Sequence, residues 1–186
     1  RYSLRQTSAL PARLIRRRME RVDTLAIRWK KELPFFLTTS LVLIIDQVTK
    51  LLVRSNMSLE QSIPAEGFFR LTFVTNTGGI FGILANQTLL IILTAAVGIA
   101  ALLLYYRYPL FQDGLVKVGL GLLLGGAIGN LIDRIYLEGV VDFIDIGTWP
   151  VFNLADSAIV IGIIILAYFS LFRYRKRKRG VTKPAP

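Results

Sequence analysis

Four long apolar stretches constrain this chain more than any other feature of its sequence. They lie at about residues 35–53, 88–106, 115–132 and 151–172. A helix of about 20 apolar residues is long enough to cross the hydrocarbon core of a bilayer. The sequence has 186 residues, of which 53% are hydrophobic, and this share is high for a soluble domain. We therefore predict an all-α membrane protein with four transmembrane helices.

The net charge of +11 lies mostly at the two ends of the chain. Residues 1–34 contain ten Lys or Arg and three acids, and residues 173–183 contain seven Lys or Arg and no acid. Because this charge flanks apolar spans, we expect membrane lipids as partners and no nucleic acid. The predicted organisation is a basic N-terminal arm (1–34), a four-span domain (35–172) and a basic tail (173–186). Residues 13–29 fit either an amphipathic helix or a solvated tail.

The charge of the loops predicts the orientation in the membrane. Lys and Arg concentrate at both termini and near residues 107–117, and the segments 54–82 and 133–150 lack such an excess. Cytoplasmic loops normally carry the excess of Lys and Arg. We therefore expect both termini in the cytoplasm and the two larger loops outside. The polar residues inside the spans then converge just below the outer face.

The segment between the first two spans has a different pattern. The run FFRLTFVTNTGG (68–79) alternates, is rich in Phe, Val and Thr, and ends in a Gly pair. This pattern predicts a small strand or hairpin with a Gly turn. We expect it to form an extracytoplasmic β-flap, or cradle, that closes over the outer ends of the helices.

Ionisable residues at membrane depth are the candidates for chemistry. Asp46 and Lys50 are four residues apart in the first span, and Asp156 lies just inside the last one. Residues at this spacing share one face of a helix, and buried charges normally face the protein interior and have partners. The alternative for the first pair is a Lys50 that snorkels to the interface beside an incidental Asp46.

The chain contains no Cys and no His. It therefore lacks Ser–His and Cys–His nucleophile pairs, and Cys or His ligands for a metal. Two adjacent carboxyl groups can share one proton, so that one activates water while the other protonates a leaving amide. We predict that Asp142 and Asp156 meet and form an aspartic hydrolase site with no metal and no cofactor. The alternative for Asp142, taken alone, is a role in a loop turn. Which of them is the acid and which is the base stays open.

Two other functions would also use a membrane protein with buried charges. An ion-coupled transporter or channel subunit would use Asp46, Lys50 and Asp156 as a relay. No continuous polar path is visible, because the span 88–106 has no charged residue and the span 115–132 offers mainly glycines. Gly121, Gly125 and Gly129 instead have the spacing that favours close helix packing. A non-catalytic scaffold would leave the buried acids unexplained.

Five short motifs follow one another along the chain: DQVTK (46–50), NTGGIF (76–81), GGAIGNLIDR (125–134), GVVDFID (139–145) and FNLADS (152–157). In this order they resemble the motifs of bacterial lipoprotein signal peptidase, or signal peptidase II, over about residues 35–172. The resemblance implies a four-helix aspartic endopeptidase of the bacterial cytoplasmic membrane. It would remove the signal peptide from diacylglyceryl-modified prolipoproteins by cleaving before the lipidated cysteine. Inhibition by globomycin-type compounds is also implied, and we expect a monomer.

The resemblance also assigns residues. Asp142 and Asp156 match the catalytic pair of the family. Further positions match residues that the family places around this pair, namely Asp46, Lys50, Asn76, Gly78, Asn130, Asp133, Arg134, Asn153 and Ala155. The chain departs from the family pattern at residues 79–80, where Gly–Ile replaces two small residues, and this affects the expected packing of the flap.

Some roles can be predicted for individual polar residues. The neutral amides of Asn130 and Asn153 are expected to orient the catalytic pair or the scissile carbonyl. Asp133 and Arg134 are expected to form an ion pair at a helix end. We expect Glu138 and Asp145 to be solvated acids of a loop.

Overall fold

The computed structural model describes residues 12–77, 98–100, 102 and 113–173. Contacts within the chain divide it into two units, residues 1–33 and 34–186. The predicted span at 88–106 falls almost entirely outside the described residues. So do Gly78, the end of the predicted flap and nearly all of the basic tail.

Three helices form the frame of the described chain. They are α1 (Ala12–Asn56, with Pro34 inside it), α2 (Gly114–Leu137) and α3 (Leu154–Tyr168), which a π-helical turn follows at Phe169–Arg173. The first unit is helical from Ala12. The segments Lys30–Asn56, Gly114–Leu137 and Leu154–Leu171 are long and apolar enough to cross a membrane.

Two helix boundaries differ from the predicted ones, and both differences affect the position of polar residues. The helix α2 continues past the predicted end at 132 to Leu137, so Asp133 and Arg134 lie inside it. The helix α3 begins at Leu154 and not at 151, because Phe152 forms a β-bridge with Ile144. Asn153 is left as the residue that caps α3.

A three-stranded antiparallel sheet joins the helices. Its strands are β1 (Ser62–Ile63), β2 (Arg70–Asn76) and β3 (Val140–Asp145), in the order β1-β2-β3. The predicted strand within 68–79 is therefore present as β2, and the β-like run Val140–Val141 begins β3. Because β2 is the central strand, the segment expected to act as a flap is built into the sheet. Its register sets Val74 opposite Asp142 and Asn76 opposite Val140.

The glycines of α2 allow the other two helices to approach its backbone. A Cβ atom on Gly125 would lie 2.8 Å from the backbone oxygen of Thr39 in α1. A Cβ atom on Gly126 would lie 2.5 Å from the backbone oxygen of Ala155 in α3. Gly121 meets α1 in the same way, and Gly129 meets the Asp46 carboxylate. The predicted role of these glycines in close helix packing is confirmed, and α2 lies between α1 and α3.

Two apolar clusters pack around this frame. One consists of Phe35, Val116, Leu120 and Leu124, between α1 and the first half of α2. The other consists of Val53, Val141 and Phe143, and it joins the end of α1 to β3. The second cluster holds β3 against the helices and so fixes the strand that carries Asp142.

Adding one methyl group at Gly126 is expected to destabilise the fold. Gly126→Ala would place its Cβ against the backbone oxygen of Ala155, which cannot rotate away. Overpacking of this kind costs about 1–3 kcal/mol of unfolding free energy. Gly114→Ala is the matched control, because no atom of the described residues lies within 4 Å of a Cβ there. Thermal unfolding in detergent should show a lower Tm for Gly126→Ala alone, and equal Tm values would contradict this packing.

Candidate active site

Asp142 lies within β3, and side chains bind the backbone of this strand on the edge that does not pair with β2. The backbone N–H of the neighbouring Val141 donates to the Asp133 carboxylate at 3.1 Å, and the Val141 carbonyl accepts from Asn153 at 3.3 Å. The Asp142 side chain accepts from Asn76 at 3.1 Å and from Asn153 at 2.7 Å. Only 2% of Asp142 is exposed. Its carboxylate is therefore fixed by residues from β2 and from the start of α3.

Asp156 is held by the capping structure of α3. The Asn153 side chain accepts from the backbone N–H of Asp156 at 2.9 Å, and the Asp156 carboxylate accepts from the backbone N–H of Asn153 at 3.3 Å. This reciprocal arrangement is a capping box, which satisfies two free donors at a helix N-terminus. The Asn130 amide of α2 donates to the other oxygen of Asp156 at 2.8 Å. The motif FNLADS thus forms a cap and positions a carboxylate at once.

Asp142 and Asp156 line the same cavity, of about 410 Å³. The other polar lining residues are Asn76, Asn130 and Arg134. The apolar lining comes from α2, β3, α3 and the loop between β3 and α3: Ala127, Val140, Trp149, Pro150, Val151, Phe152, Ile159 and Val160. The structure therefore brings together the two carboxylates that the sequence predicts to meet. The cavity has a polar end at these carboxylates and an apolar end on α3.

The surroundings of Asp142 raise its pKa. Burial, and then the negative charge of Asp156, raise the pKa of Asp142 from 3.8 to about 7. Hydrogen bonds from Asn76 and Asn153 and the charge of Lys50 act in the opposite direction. A shift of this kind is expected when two carboxyl groups lie close together in a site of low polarity. Asp142 can therefore carry a proton near neutral pH.

A cluster of charges lies behind the cavity, between α1 and α2. The Lys50 ammonium pairs with Asp46 at 2.8 Å and with Asp133 at 3.0 Å, and it donates to Asn130 at 2.9 Å. The predicted pairing of Asp46 and Lys50 is thus confirmed, and Lys50 does not snorkel. Asp46 also accepts from the backbone N–H of the buried Ala155 at 3.0 Å, which ties the cluster to α3.

One predicted ion pair of the polar network is different in the structure. Asp133 forms its ion pair with Lys50 and not with Arg134. Arg134 instead donates to the backbone oxygen of Asn130 at 3.2 Å and lines the cavity, where its charge interacts with Asp156, Asp142 and, more weakly, Asp133. The reason is the length of α2: once both residues are helical, adjacent positions point in different directions.

Asp145 is not the solvated acid that the sequence predicts. It is buried, and it pairs with Arg70 at 2.7 Å and accepts from Thr72 at 2.8 Å across the β2–β3 ladder. A hydrogen bond from the Gly147 backbone N–H is the main cause that lowers the pKa of Asp145. Glu138 is exposed, as predicted, and it caps α2.

Some contributing residues are not evident from the sequence. Gln47 donates to the Asp133 carboxylate at 3.1 Å and to the backbone oxygen of Gly129 at 3.2 Å. Trp149 and Phe152 line the cavity. Their place in the sequence is the feature that could have indicated them. Gln47 lies within the DQVTK motif, and both aromatic residues lie between the two candidate carboxylates. Gly78, also predicted near the site, falls outside the described residues.

Known proteins resemble this chain in sequence and in fold. The family described as signal peptidase (SPase) II matches residues 38–172. The lipoprotein signal peptidase of Moorella thermoacetica is 47% identical over 137 residues, which cover 73% of this chain and 91% of that protein. The lipoprotein signal peptidase of Halothermothrix orenii is 44% identical over 146 residues, which cover 78% of this chain and 98% of that protein. A solved structure of a bacterial membrane enzyme, determined by the in meso method at 2.3 Å resolution, superposes with a TM-score of 0.72 at 30% identity and covers 82% of this chain and 94% of its own.

Proposed function

Since the chain belongs to the signal peptidase II family and therefore removes signal peptides from prolipoproteins, we propose that it acts as an aspartic endopeptidase with Asp142 and Asp156 as its catalytic pair. The observation that carries this proposal is the shared cavity lined by both carboxylates. Each carboxylate is oriented by side-chain amides, Asp142 by Asn76 and Asn153, and Asp156 by Asn130.

The chemistry follows from one proton shared by two carboxyl groups. The ionised member takes a proton from a water molecule, whose oxygen forms a bond with the scissile carbonyl carbon. The protonated member gives its proton to the leaving nitrogen as the carbon–nitrogen bond breaks. After product release the pair again holds one proton and one negative charge, so no other reactant is consumed. The guanidinium of Arg134 adds a positive charge to the same cavity, where negative charge develops on the carbonyl oxygen.

The remaining predicted residues are proposed to support this pair. Asn130 and Asn153 orient the carboxylates, and Asp46, Lys50 and Asp133 hold the helices in register behind them. Ala155 contributes its backbone N–H to Asp46. Gly78 is included on the strength of the family motif alone.

The cavity also supports a lipid-modified substrate. Its polar end holds the proposed catalytic pair, and its apolar end includes Ile159 and Val160 of a helix that is long enough to span a membrane. Val160 is 55% exposed, so the cavity reaches the apolar outer surface of α3. We infer that the diacylglyceryl chains of the substrate lie along this surface while the bond before the modified cysteine enters the polar end. Globomycin-type inhibitors would occupy the same cavity, and one chain suffices for the reaction.

We propose that the chain crosses the bacterial cytoplasmic membrane four times, with both termini in the cytoplasm and the catalytic pair near the outer face. The three apolar helices and the basic termini support this arrangement. A reporter fused after Arg179 should read as cytoplasmic, and one inserted near Glu60 should read as external. Reporters that give the same compartment at both positions would contradict the arrangement.

The proposed function is tested with purified protein in detergent and two synthetic prolipoprotein peptides of identical sequence. One peptide carries a diacylglyceryl group on its cysteine, and the other carries a free thiol. Mass spectrometry should show cleavage directly before the modified cysteine and little cleavage of the unmodified peptide. Equal cleavage of both peptides would overturn the proposed lipid specificity, and failure to cleave either would overturn the peptidase activity.

A further inference from the structure

Asn130 connects the charge cluster of α1 and α2 to the proposed catalytic pair. Its amide oxygen accepts from the Lys50 ammonium at 2.9 Å and from the Asn153 amide at 3.1 Å. Its amide nitrogen donates to the Asp156 carboxylate at 2.8 Å. The two ends of one small side chain therefore meet a cation on one side and a carboxylate on the other.

The chemistry of Lys50 permits only one orientation of this amide. An ammonium group has three donors and no acceptor, so the atom that faces it must be the amide oxygen. In the reversed orientation the NH₂ group would face the ammonium, and the amide oxygen would face the carboxylate. Both contacts would then be repulsive, and the contact with Lys50 is buried, where water cannot compensate for it.

Lys50 is itself held in place. Its side chain is 3% exposed, and the carboxylates of Asp46 and Asp133 contact its ammonium group from two different helices. An ammonium on a flexible stem is a mobile group on a protein surface, and here two ion pairs remove that freedom. The position of the cation, and with it the orientation of the Asn130 amide, is thus determined by the packing of α1 against α2.

We propose that Lys50 is a positioning residue, which fixes the Asn130 amide so that it donates to Asp156 and holds that carboxylate in the orientation for proton transfer. The proposal rests on the proposed catalytic role of Asp156. One oxygen of Asp156 is bound by Asn130 and the other by the Asn153 backbone, so both hydrogen bonds together set the plane of the carboxylate. Asn130 and Asp156 line the cavity, and Lys50 acts on it from behind through Asn130.

A kinetic consequence separates this role from a purely structural one. Loss of the orienting contact should lower kcat and leave KM nearly unchanged, because Lys50 acts on the carboxylate and not on the bound peptide. A misplacement of a reacting group by about 1 Å can cost about 10²-fold in rate. We expect Lys50→Met and Asn130→Ala each to lower kcat by about this factor.

The test is a double-mutant cycle with Lys50→Met, Asn130→Ala and both changes together, assayed on the diacylglyceryl-modified peptide. If Lys50 acts through Asn130, its loss costs little once the amide is absent, so the double variant should be within about threefold of the slower single variant. Losses that multiply, or a Lys50→Met variant with unchanged kcat, would overturn the proposal. Lys117→Met is the matched control. It removes a second buried lysine, which lies on α2, and it should keep its kcat.

The same experiment includes a control for loss of folded protein. Lys50→Met leaves the buried carboxylates of Asp46 and Asp133 without this cation, so the cycle is repeated in an Asp46→Asn background, which removes one of the two charges. Rates are compared per folded protein, from size exclusion and thermal unfolding. If Asp156→Asn keeps its turnover, the proposed function itself fails. If Asp156→Asn is inactive and the two losses multiply, only the positioning role fails.

Discussion

Replacing either Asp142 or Asp156 by Asn is expected to lower kcat by about 10³-fold or more and to leave substrate binding intact. Asn has nearly the shape of Asp and its oxygen still accepts a hydrogen bond, but it can neither take a proton from water nor give one to the leaving nitrogen. Each carboxylate accepts hydrogen bonds at both oxygens, Asp142 from Asn76 and Asn153, and Asp156 from Asn130 and the Asn153 backbone, so Asn retains one of the two contacts at each position. Turnover of the lipidated peptide measures the loss, and binding of the same peptide shows that the cavity is preserved.

Glu138→Gln is the matched control for these substitutions. It exchanges a carboxyl for an amide at an exposed position at the end of α2, and it should leave kcat unchanged. Substantial turnover by Asp142→Asn or by Asp156→Asn would show that the bond is cleaved without that carboxyl, and the aspartic mechanism would be wrong.

The activity of the intact enzyme is expected to fall as the pH rises above about 7. The pKa of Asp142 is raised to about 7, first by burial and then by the charge of Asp156. Above this pH the pair loses the proton that it shares, no carboxyl is left to protonate the leaving nitrogen, and the rate should fall about tenfold per pH unit. The rate is also expected to fall on the acid side, where no ionised carboxyl is left to take a proton from water. Both limbs belong to the pair and not to one residue.

A substitution at Asn76 tests the assignment of the alkaline limb. The Asn76 amide donates to the Asp142 carboxylate and favours its ionised form, so it lowers the pKa of Asp142. Asn76→Ala should therefore raise that pKa and move the alkaline limb to higher pH. Asn56→Ala, at the exposed end of α1, should leave the profile in place. An alkaline limb that stays at the same pH, or moves down, in Asn76→Ala would contradict the role of Asp142.

The parts of the site that could be predicted are those that the membrane constrains strongly. A charge inside an apolar helix needs a partner, so the i,i+4 spacing of Asp46 and Lys50 predicts their ion pair. Glycines at regular helical spacing predict backbone contact between helices, as Gly121 and Gly125 show against α1. Both inferences depend on one helix and its environment, and neither requires the path of the rest of the chain.

The details that could not be predicted depend on contacts between distant segments. The sequence predicts Asp145 to be an acid of a loop, because its partner Arg70 is 75 residues away in the chain and lies on the neighbouring strand. Lys50 has a second carboxylate, Asp133, only because α2 extends far enough to bring it there. Because Val151 and Phe152 are apolar, the sequence predicts a start of α3 that is too early. The observed start depends on the bridge from Phe152 to Ile144, which is a tertiary contact.

The central claim is that Asp142 and Asp156 activate water and that neither attacks the peptide bond itself. A single turnover in water labelled with heavy oxygen, with enzyme in excess over the lipidated peptide, measures this directly. If the pair activates water, heavy oxygen will appear in the new carboxyl group of the released signal peptide and in none of the enzyme fragments that contain Asp142 or Asp156. Heavy oxygen in either aspartate, together with an unlabelled signal peptide, would reveal a covalent acyl intermediate and contradict this mechanism.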